Sequence, residues 1–451
     1  MNGALQGRQR GAIRRGLRRL GVAAVLLALP ALLAPAGWPG ASSARAEDGR
    51  TGQAQGTRRT PTLRNEVHAK LADVQQAAEA GDFATAERLL AALQAEFSGK
   101  RALNSYELAN VHNFYAYIYE SQQKHPEAIR AYENVLAQPG LPGAMETGTR
   151  YSLAQLYVAT GDWKRAAAML ESWFRIAEEP APEAWMLLAQ TNYQIGEYDR
   201  ALGNIDKGMA EARRRGMAPK ENWYLLARMI SYDKGDLRRT ASVLEVLARQ
   251  WPRKDYFVQL SAIHGELKDE PRQLAAMEVA YLAGWLGEER ELVNMAYLYL
   301  GADMPWKAAR VLEKGMEAGR VEAGAKNLEL LGIALRQARE NRRAIVYLER
   351  AAALAGDAEM WARLANLQLD EDASEQAVEA ARKALAMGGG RRPDHTQVVL
   401  GMALYNLGRY DEARAAFTEA GRDPRSEQVA TQWLHFLQTE IARAAQLAQE
   451  L

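Results

Sequence analysis

The chain has 451 residues, 48% of them apolar, with 15 prolines, no cysteine and a formal net charge of +1 from 57 basic and 56 acidic side chains. The lack of cysteine excludes disulfides, thiolate metal sites, a cysteine nucleophile and a bacterial lipoprotein anchor. Charge is unevenly placed: residues 1–46 hold seven arginines (Arg8, Arg10, Arg14, Arg15, Arg18, Arg19, Arg45) and no acid. The remainder therefore carries about −6, which argues against nucleic acid or an anionic membrane as its main partner.

The first segment has the three parts of a secretory signal. An arginine-rich region ends at Arg19, the apolar run "LGVAAVLLALPALLAPA" starts at Leu20, and "SSARAED" places Ala44 and Ala46 around Arg45. Residues 1–46 are thus expected to be a cleavable signal peptide, cut after Ala46. A retained anchor is the alternative, but Pro30 and Pro35 break a run already short for a span. Arg14-Arg15 hints at twin-arginine export without its usual flanks, so the general secretory route and a periplasmic location, in a Gram-negative envelope, are expected. Residues 47–62, "EDGRTGQAQGTRRTPT", are polar and aperiodic and read as a flexible leader.

From residue 63 to 423, helix formers dominate and no stretch alternates with the period 2 of a strand, so the fold class is all-α. The segment "ATGDWKRAAAMLESWF" from Ala159 returns as "EAGDFATAERLL" from Glu79, "QIGEYDRALGNI" from Gln194 and "NLGRYDEARAAF" from Asn406, and more loosely as "DKGDLRRTASVL" from Asp233. Ten units align on Ala86, Ala128, Ala166, Ala201, Thr240, Gln273, Ala308, Ala344, Ala377 and Ala413, at spacings of 33 to 42 residues. A glycine such as Gly161 can take the left-handed conformation that ends a first helix, and the acid after it suits the N-terminus of a second. Trp163, Tyr198 or Tyr410 fills the corner. Small residues (Ala154, Ala189, Ala296, Ala365) face the aligned alanines, and Leu153, Leu188, Leu170 and Leu312 pack around these close approaches.

With this period and these residues, the chain resembles tetratricopeptide repeat (TPR) proteins. The resemblance implies an α-solenoid of about ten helix hairpins in a right-handed superhelix. Pro126, Thr240, Gln273 and the segment "GADMPW" from Gly301 depart from the pattern, so helix crossing in the fifth to seventh units is expected to differ. Residues 424–451 read as a capping helix and tail, with Trp433, Phe436 and Leu437 toward the core. The segments "LNSYELANVHNFYAYIYE" from Leu103, "PKENWYLLARMISYDKGD" from Pro219, "RQLAAMEVAYLAGWL" from Arg272 and "AARVLEKGMEAG" from Ala308 are similar to exported TPR proteins described as components of TonB energy-transduction systems. That similarity implies TonB or its motor subunits as partners.

No residue pattern supports catalysis. His68, His112, His125, His264, His395 and His435 form no metal-binding pair, "SGKR" at Ser98 lacks the rest of a phosphate loop, and "GGGRRP" at Gly388 reads as a turn. No enzyme, cofactor or metal is expected. In the TPR fold the exposed positions of the first helix are the second, fifth, ninth and twelfth. Carried onto this sequence, they give Asn110, Asn113 and Tyr117; Tyr151 and Gln155; Met186, Gln190 and Tyr193; Asn222, Met229 and Tyr232; and Tyr297. Amides can pair with an extended backbone and tyrosines add contact area at low entropic cost. These residues are the candidate partner-binding groove, and a non-enzymatic interaction scaffold is the expected function. Competing readings are an adaptor in envelope biogenesis or polysaccharide export, and a glycan- or peptidoglycan-binding module in which aromatic rings stack on sugars.

Overall fold

The computed structural model describes residues 62–450, with side-chain burial to residue 443. The expected signal peptide and all but the last residue of the expected leader lie outside the described residues. Among those described there are 21 α-helices, one 3-10 turn at Gly99–Arg101 and no strand.

The chain divides into two compact units, Met1–Trp251 and Pro252–Leu451. The first contains five antiparallel hairpins: α1 Asn65–Glu79 with α2 Phe83–Glu96, α3 Ser105–Ser121 with α4 His125–Leu136, α5 Gly143–Ala159 with α6 Trp163–Phe174, α7 Pro182–Gln194 with α8 Tyr198–Arg214, and α9 Glu221–Lys234 with α10 Leu237–Gln250. The second contains α11 Lys254–Glu266 with α12 Glu270–Leu282, α13 Glu289–Gly301 with α14 Pro305–Glu317, α15 Ala325–Gln337 with α16 Asn341–Ala355, α17 Ala358–Asp370 with α18 Ser374–Ala386, and α19 Pro393–Asn406 with α20 Tyr410–Ala420. The helix α21, Glu427–Glu450, follows. This is an α-solenoid architecture built from helix hairpins.

Every hairpin turns through one residue of positive φ. Five joints use glycine (Gly81, Gly161, Gly196, Gly235, Gly408), and five use Gln123, Lys268, Asp303, Arg339 and Asp372, with φ between 56° and 63°. The following amide reaches back over the turn in both kinds, as with Asp162 N to Tyr157 O at 2.8 Å and Glu340 N to Leu335 O at 2.9 Å. Asp82, Asp162, Asp236 and Asp269 then cap the second helix by accepting from an amide three residues on. The repeated element is therefore a backbone conformation, which "GADMPW" also adopts through Asp303. A non-glycine residue there carries about 1 kcal/mol of strain. Lys268→Gly is expected to raise stability by about 0.5–1 kcal/mol, whereas Gly161→Ala should lower it by a similar amount. Urea unfolding checks both, and destabilisation by Lys268→Gly would contradict the strain argument.

The ten aligned residues all fall fourth in their second helices, and nine are buried at 1% exposure or less. Leu153, Leu170, Leu188 and Leu312 are buried around them. The exception, Gln273, is half-buried, and the opposing residue is Gly265, where an added Cβ would lie 2.7 Å from the Gln273 amide nitrogen. Ser261 also donates to the Gln273 carbonyl at 2.9 Å. Thr240 is accommodated by donating to Asp236 O at 2.8 Å. Pro126 lies in the first turn of α4, where no helical donor is needed. At Gly401 the Phe417 ring takes the space of the missing side chain, within 2.8 Å of a would-be Cβ.

Consecutive second helices are also joined by charge. The acid five residues after the aligned residue of one hairpin meets the base just before the aligned residue of the next. In the first unit these pairs are Glu133–Arg165 at 3.8 Å, Glu171–Arg200 at 3.7 Å and Asp206–Arg239 at 2.7 Å. In the second they are Glu278–Lys307 at 2.9 Å, Glu313–Arg343, and a reversed pair, Arg382–Glu412, at 2.5 Å. Tyr157 and Tyr299 donate to Glu133 and Glu278 at 2.7 Å. Burial, reinforced by the carboxylate, pushes the Tyr157 hydroxyl up to about 12. Exposed pairs contribute under about 1 kcal/mol each, so the series chiefly selects register between neighbouring hairpins.

At the C-terminus α21 buries Ala430 and Leu437, and Trp433 stacks on Phe417 at 5.4 Å. Phe436 differs from the expectation, being 45% exposed. It flanks the face shared by Ala430, Trp433 and Leu437 and touches the rings of Tyr405 and Trp433 from the rim.

Candidate functional site

Neighbouring first helices, which together make up the first-helix wall of each unit, are cross-linked at several places. In the first unit Tyr193 of α7 donates to Asp233 of α9 at 2.7 Å, and Lys220, ahead of α9, reaches Glu183 of α7 at 2.8 Å. In the second, Lys254 of α11 meets Glu291 of α13 at 2.6 Å, Asn327 of α15 donates to Glu289 of α13 at 2.7 Å, and Arg363 of α17 lies 3.8 Å from Glu329 of α15. These cross-links fix the spacing of the rows.

The sequence-derived groove residues separate into three groups. Asn113, Tyr117, Gln155 and Gln190 are half-buried and Asn222 is exposed, and none of their side-chain polar atoms has a partner among the described residues. The result is one uncommitted amide on each of four consecutive first helices: Asn113 on α3, Gln155 on α5, Gln190 on α7 and Asn222 on α9. Tyr117 and Met229, both half-buried, lie in the same row as the two glutamines.

A second group is engaged by the protein itself. Asn110 donates to Tyr106 O of its own helix at 2.7 Å. Tyr193 is held by Asp233, and its ring lies 5.8 Å from that of Tyr198. Tyr151 packs 4.9 Å from the Trp173 ring, and burial raises its hydroxyl pKa. Tyr232 is half-buried and has an interaction of its own. These residues shape the wall more than they offer free contacts.

Met186 is the correction: it is 8% exposed and belongs to the core. Gly208 of α8 leaves the space that Met186 and Trp185 fill, and a Cβ there would meet both side chains. Tyr297 stands on α13 in the second unit and is 51% exposed.

Glu120, also on the first-unit wall, accepts from Tyr132 at 3.0 Å, and burial raises its pKa. Among the described residues no group of three or more histidines or acids is placed to hold a metal ion, and no helix is long and apolar enough to cross a membrane. The "GGGRRP" segment is a tight connection in which Gly388, Gly389 and Gly390 all have positive φ.

Comparison with known proteins accords with this geometry. Residues 121–208 match the family model of the anaphase-promoting complex, cyclosome, subunit 3, and residues 375–427 match a tetratricopeptide repeat model. No curated protein is significantly similar in sequence. Among solved structures, a tetratricopeptide repeat protein from Parabacteroides merdae is 17% identical, with 60% of this chain and 98% of that one covered and a TM-score of 0.33. The TPR2AB domain of yeast Sti1, in a complex with pHSP90, is 16% identical over 58% of this chain and 99% of its own, with a TM-score of 0.32. YrrB, described as a TPR protein with an unusual peptide-binding site, is 15% identical over 39% and 84%, with a TM-score of 0.31. Hairpin geometry and the two family matches define the class, an α-solenoid of helical repeats. The two family matches support a tetratricopeptide repeat protein.

Proposed function

We propose that the protein is a non-enzymatic interaction scaffold that holds an extended segment of a partner protein on the first-helix wall of its N-terminal unit. The observation that carries this reading is the set of four uncommitted amides, Asn113, Gln155, Gln190 and Asn222, one per successive first helix. A carboxamide both donates and accepts, as does a peptide unit, so an extended backbone can pair with such amides whatever its side chains. The helices that carry them are packed before binding, which limits the ordering cost on the protein's side. Aromatic stacking on sugars is less favoured, because Tyr151 and Tyr193 are already engaged.

The signal-like residues 1–46 support action in the periplasm, and the similarity to exported TPR proteins of TonB systems supports TonB or a motor subunit as the partner. The test is binding of the purified periplasmic part of TonB, and of each motor subunit, to the full chain and to an Asn113→Ala, Gln155→Ala, Gln190→Ala variant. At about 1 kcal/mol per hydrogen bond, the triple variant should bind roughly a hundredfold more weakly, with an unchanged melting temperature. Equal affinity in variant and parent would overturn the assignment of the wall. Lack of binding by all these proteins would overturn the TonB assignment.

A further inference from the structure

Four junctions join neighbouring hairpins of the second unit, and one of them is built differently. Charge pairs tie the second helices together at three: Glu278–Lys307, Glu313–Arg343 and Arg382–Glu412. Between α16 and α18 the corresponding residues are Glu349 and Gln376, and Glu349 forms no ion pair among the described residues. The connectors differ as well. Those after α12 and α14 each bury an apolar residue, Leu286 and Val321, in the core of their hairpins. Only Gly356 and Asp357, both exposed, separate α16 from α17, and Gly356 has φ 60° with open space where a side chain would stand.

The same junction holds a buried amide without a partner. Tyr299, Leu335, Gln368 and Leu404 occupy equivalent places, since the carbonyl of each accepts the amide of the residue that opens the next helix. All four are buried at 2% exposure or less. Tyr299 donates to Glu278 across its junction at 2.7 Å, and the two leucines need no polar partner. Gln368 Oε1 is buried with no hydrogen-bond partner among the described residues. Such an acceptor weakens the packed state relative to an open one in which water reaches it. The polar links that do cross the junction, Asn341 to Glu371 at 2.7 Å and Arg363 to Glu329 at 3.8 Å, are partly exposed. Packing divides here too: one buried cluster runs from α12 to α16 with Leu367 of α17, another from α17 to α21 with Ala352 of α16, and half-buried Ile345 and Leu348 touch both.

We propose that Gly356 and Asp357 form a hinge, at which α17 to α21 open from α16 as one block while the cores on both sides stay packed. The block has its own core, around Leu364, Val399 and Phe417, and Trp433 stacked on Phe417 secures its far end. The apolar side chains that lose cover on opening are few, chiefly Ile345, Leu348, Ala352 and Leu367, so this opening lies below global unfolding. It also parts α15 from α17 where Arg363 meets Glu329. The hinge thereby switches the first helices of the second unit between one row and two.

The test is native-state hydrogen exchange of the full chain in low denaturant, read by mass spectrometry. Amides of α17 to α20 should exchange together, about tenfold or more faster than those of α13 to α16, with the step at Gly356. Fraying from the C-terminus would instead give protection that rises steadily from α21 inward; that gradient, or a step elsewhere, would overturn the proposal. Gln368→Leu, which copies Leu335 and Leu404, should slow exchange of the whole block about tenfold and leave α12 to α15 unchanged. Gln368→Tyr with Gln376→Arg would set around Glu349 the arrangement that Tyr157 and Arg165 make around Glu133, and should reduce the step further. Parent-like exchange of the block in both variants would also overturn the proposal.

Discussion

Glu107→Ala is expected to cost about 3 kcal/mol and to loosen the start of the repeat array. Glu107 is fully buried in the first turn of α3 and completes a capping box with Asn104. Its carboxylate accepts from the Arg64 backbone N–H at 3.1 Å, from Arg64 Nε at 2.8 Å and from Arg64 Nη2 at 2.6 Å, while Asn104 N lies 3.0 Å away. Arg64 in turn donates to Arg101 O and Ala102 O and lies over the Phe97 ring. One carboxylate thus ties the residue just ahead of α1 to the loop before α3. The Arg64 side chain is 40% exposed, which keeps the expected cost at the lower end for breaking a buried pair. Hydrogen exchange reads the effect locally. Amides of α1 to α3 should exchange roughly a hundredfold faster, and those of α15 to α19 should not change. Parent-like protection in α1 would show that the latch contributes little.

The second large effect is expected at the opposite end. Asp394, 5% exposed in the first turn of α19, binds Arg392 Nε at 2.9 and 3.0 Å, Ser426 Oγ at 2.8 Å and Arg425 Nη2 at 3.2 Å. Arg425 and Ser426 immediately precede α21, so the carboxylate fastens the capping helix to the last hairpin. The hydrogen bond from Arg392, aided by Ser426 and Arg425, holds this carboxyl well below the usual carboxylate range. A depressed folded-state pKa means that its stabilisation is fully present above the unfolded value, about pH 4, and is lost as pH falls through the folded value. Asp394→Asn is expected to lower stability at pH 7 by about 2–3 kcal/mol and to expose Leu437 and Phe417. Because the variant lacks the titrating group, its loss relative to the parent should shrink below about pH 4. Thermal unfolding followed by circular dichroism at neutral and acid pH checks this. A difference that is constant with pH would contradict the role given to the ionised carboxylate.

The hairpins were legible because a Gly-acid-aromatic joint and a buried small residue each solve a problem that every hairpin meets. The joints at Gln123, Lys268, Asp303, Arg339 and Asp372 were harder to read, since residues of any type can be forced into the left-handed region once both helices are packed. The cross-repeat pairs such as Glu313–Arg343 were missed because each partner, read within its own repeat, looks like an ordinary exposed charge.

At the candidate site, position within the first helix identified the row but not which side chains remain free. Met186 was lost to the core because of Gly208, 22 residues later, and Tyr193 was engaged by Asp233, 40 residues later. Both are contacts that periodicity within one helix does not encode. The amides survive as candidates for the opposite reason: among the described residues, Asn113, Gln155, Gln190 and Asn222 have no neighbour that uses them.

The central claim is that the first-helix wall of the N-terminal unit is where a partner protein is held. It is tested most directly by photo-crosslinking in the native cell from Tyr117 and Gln190, with Arg130, 69% exposed on α4, as the control. The account predicts adducts to a defined protein, TonB or one of its motor subunits, from Tyr117 and Gln190, and none of that protein from Arg130. The same adducts from all three positions, or none from Tyr117 and Gln190, would contradict it.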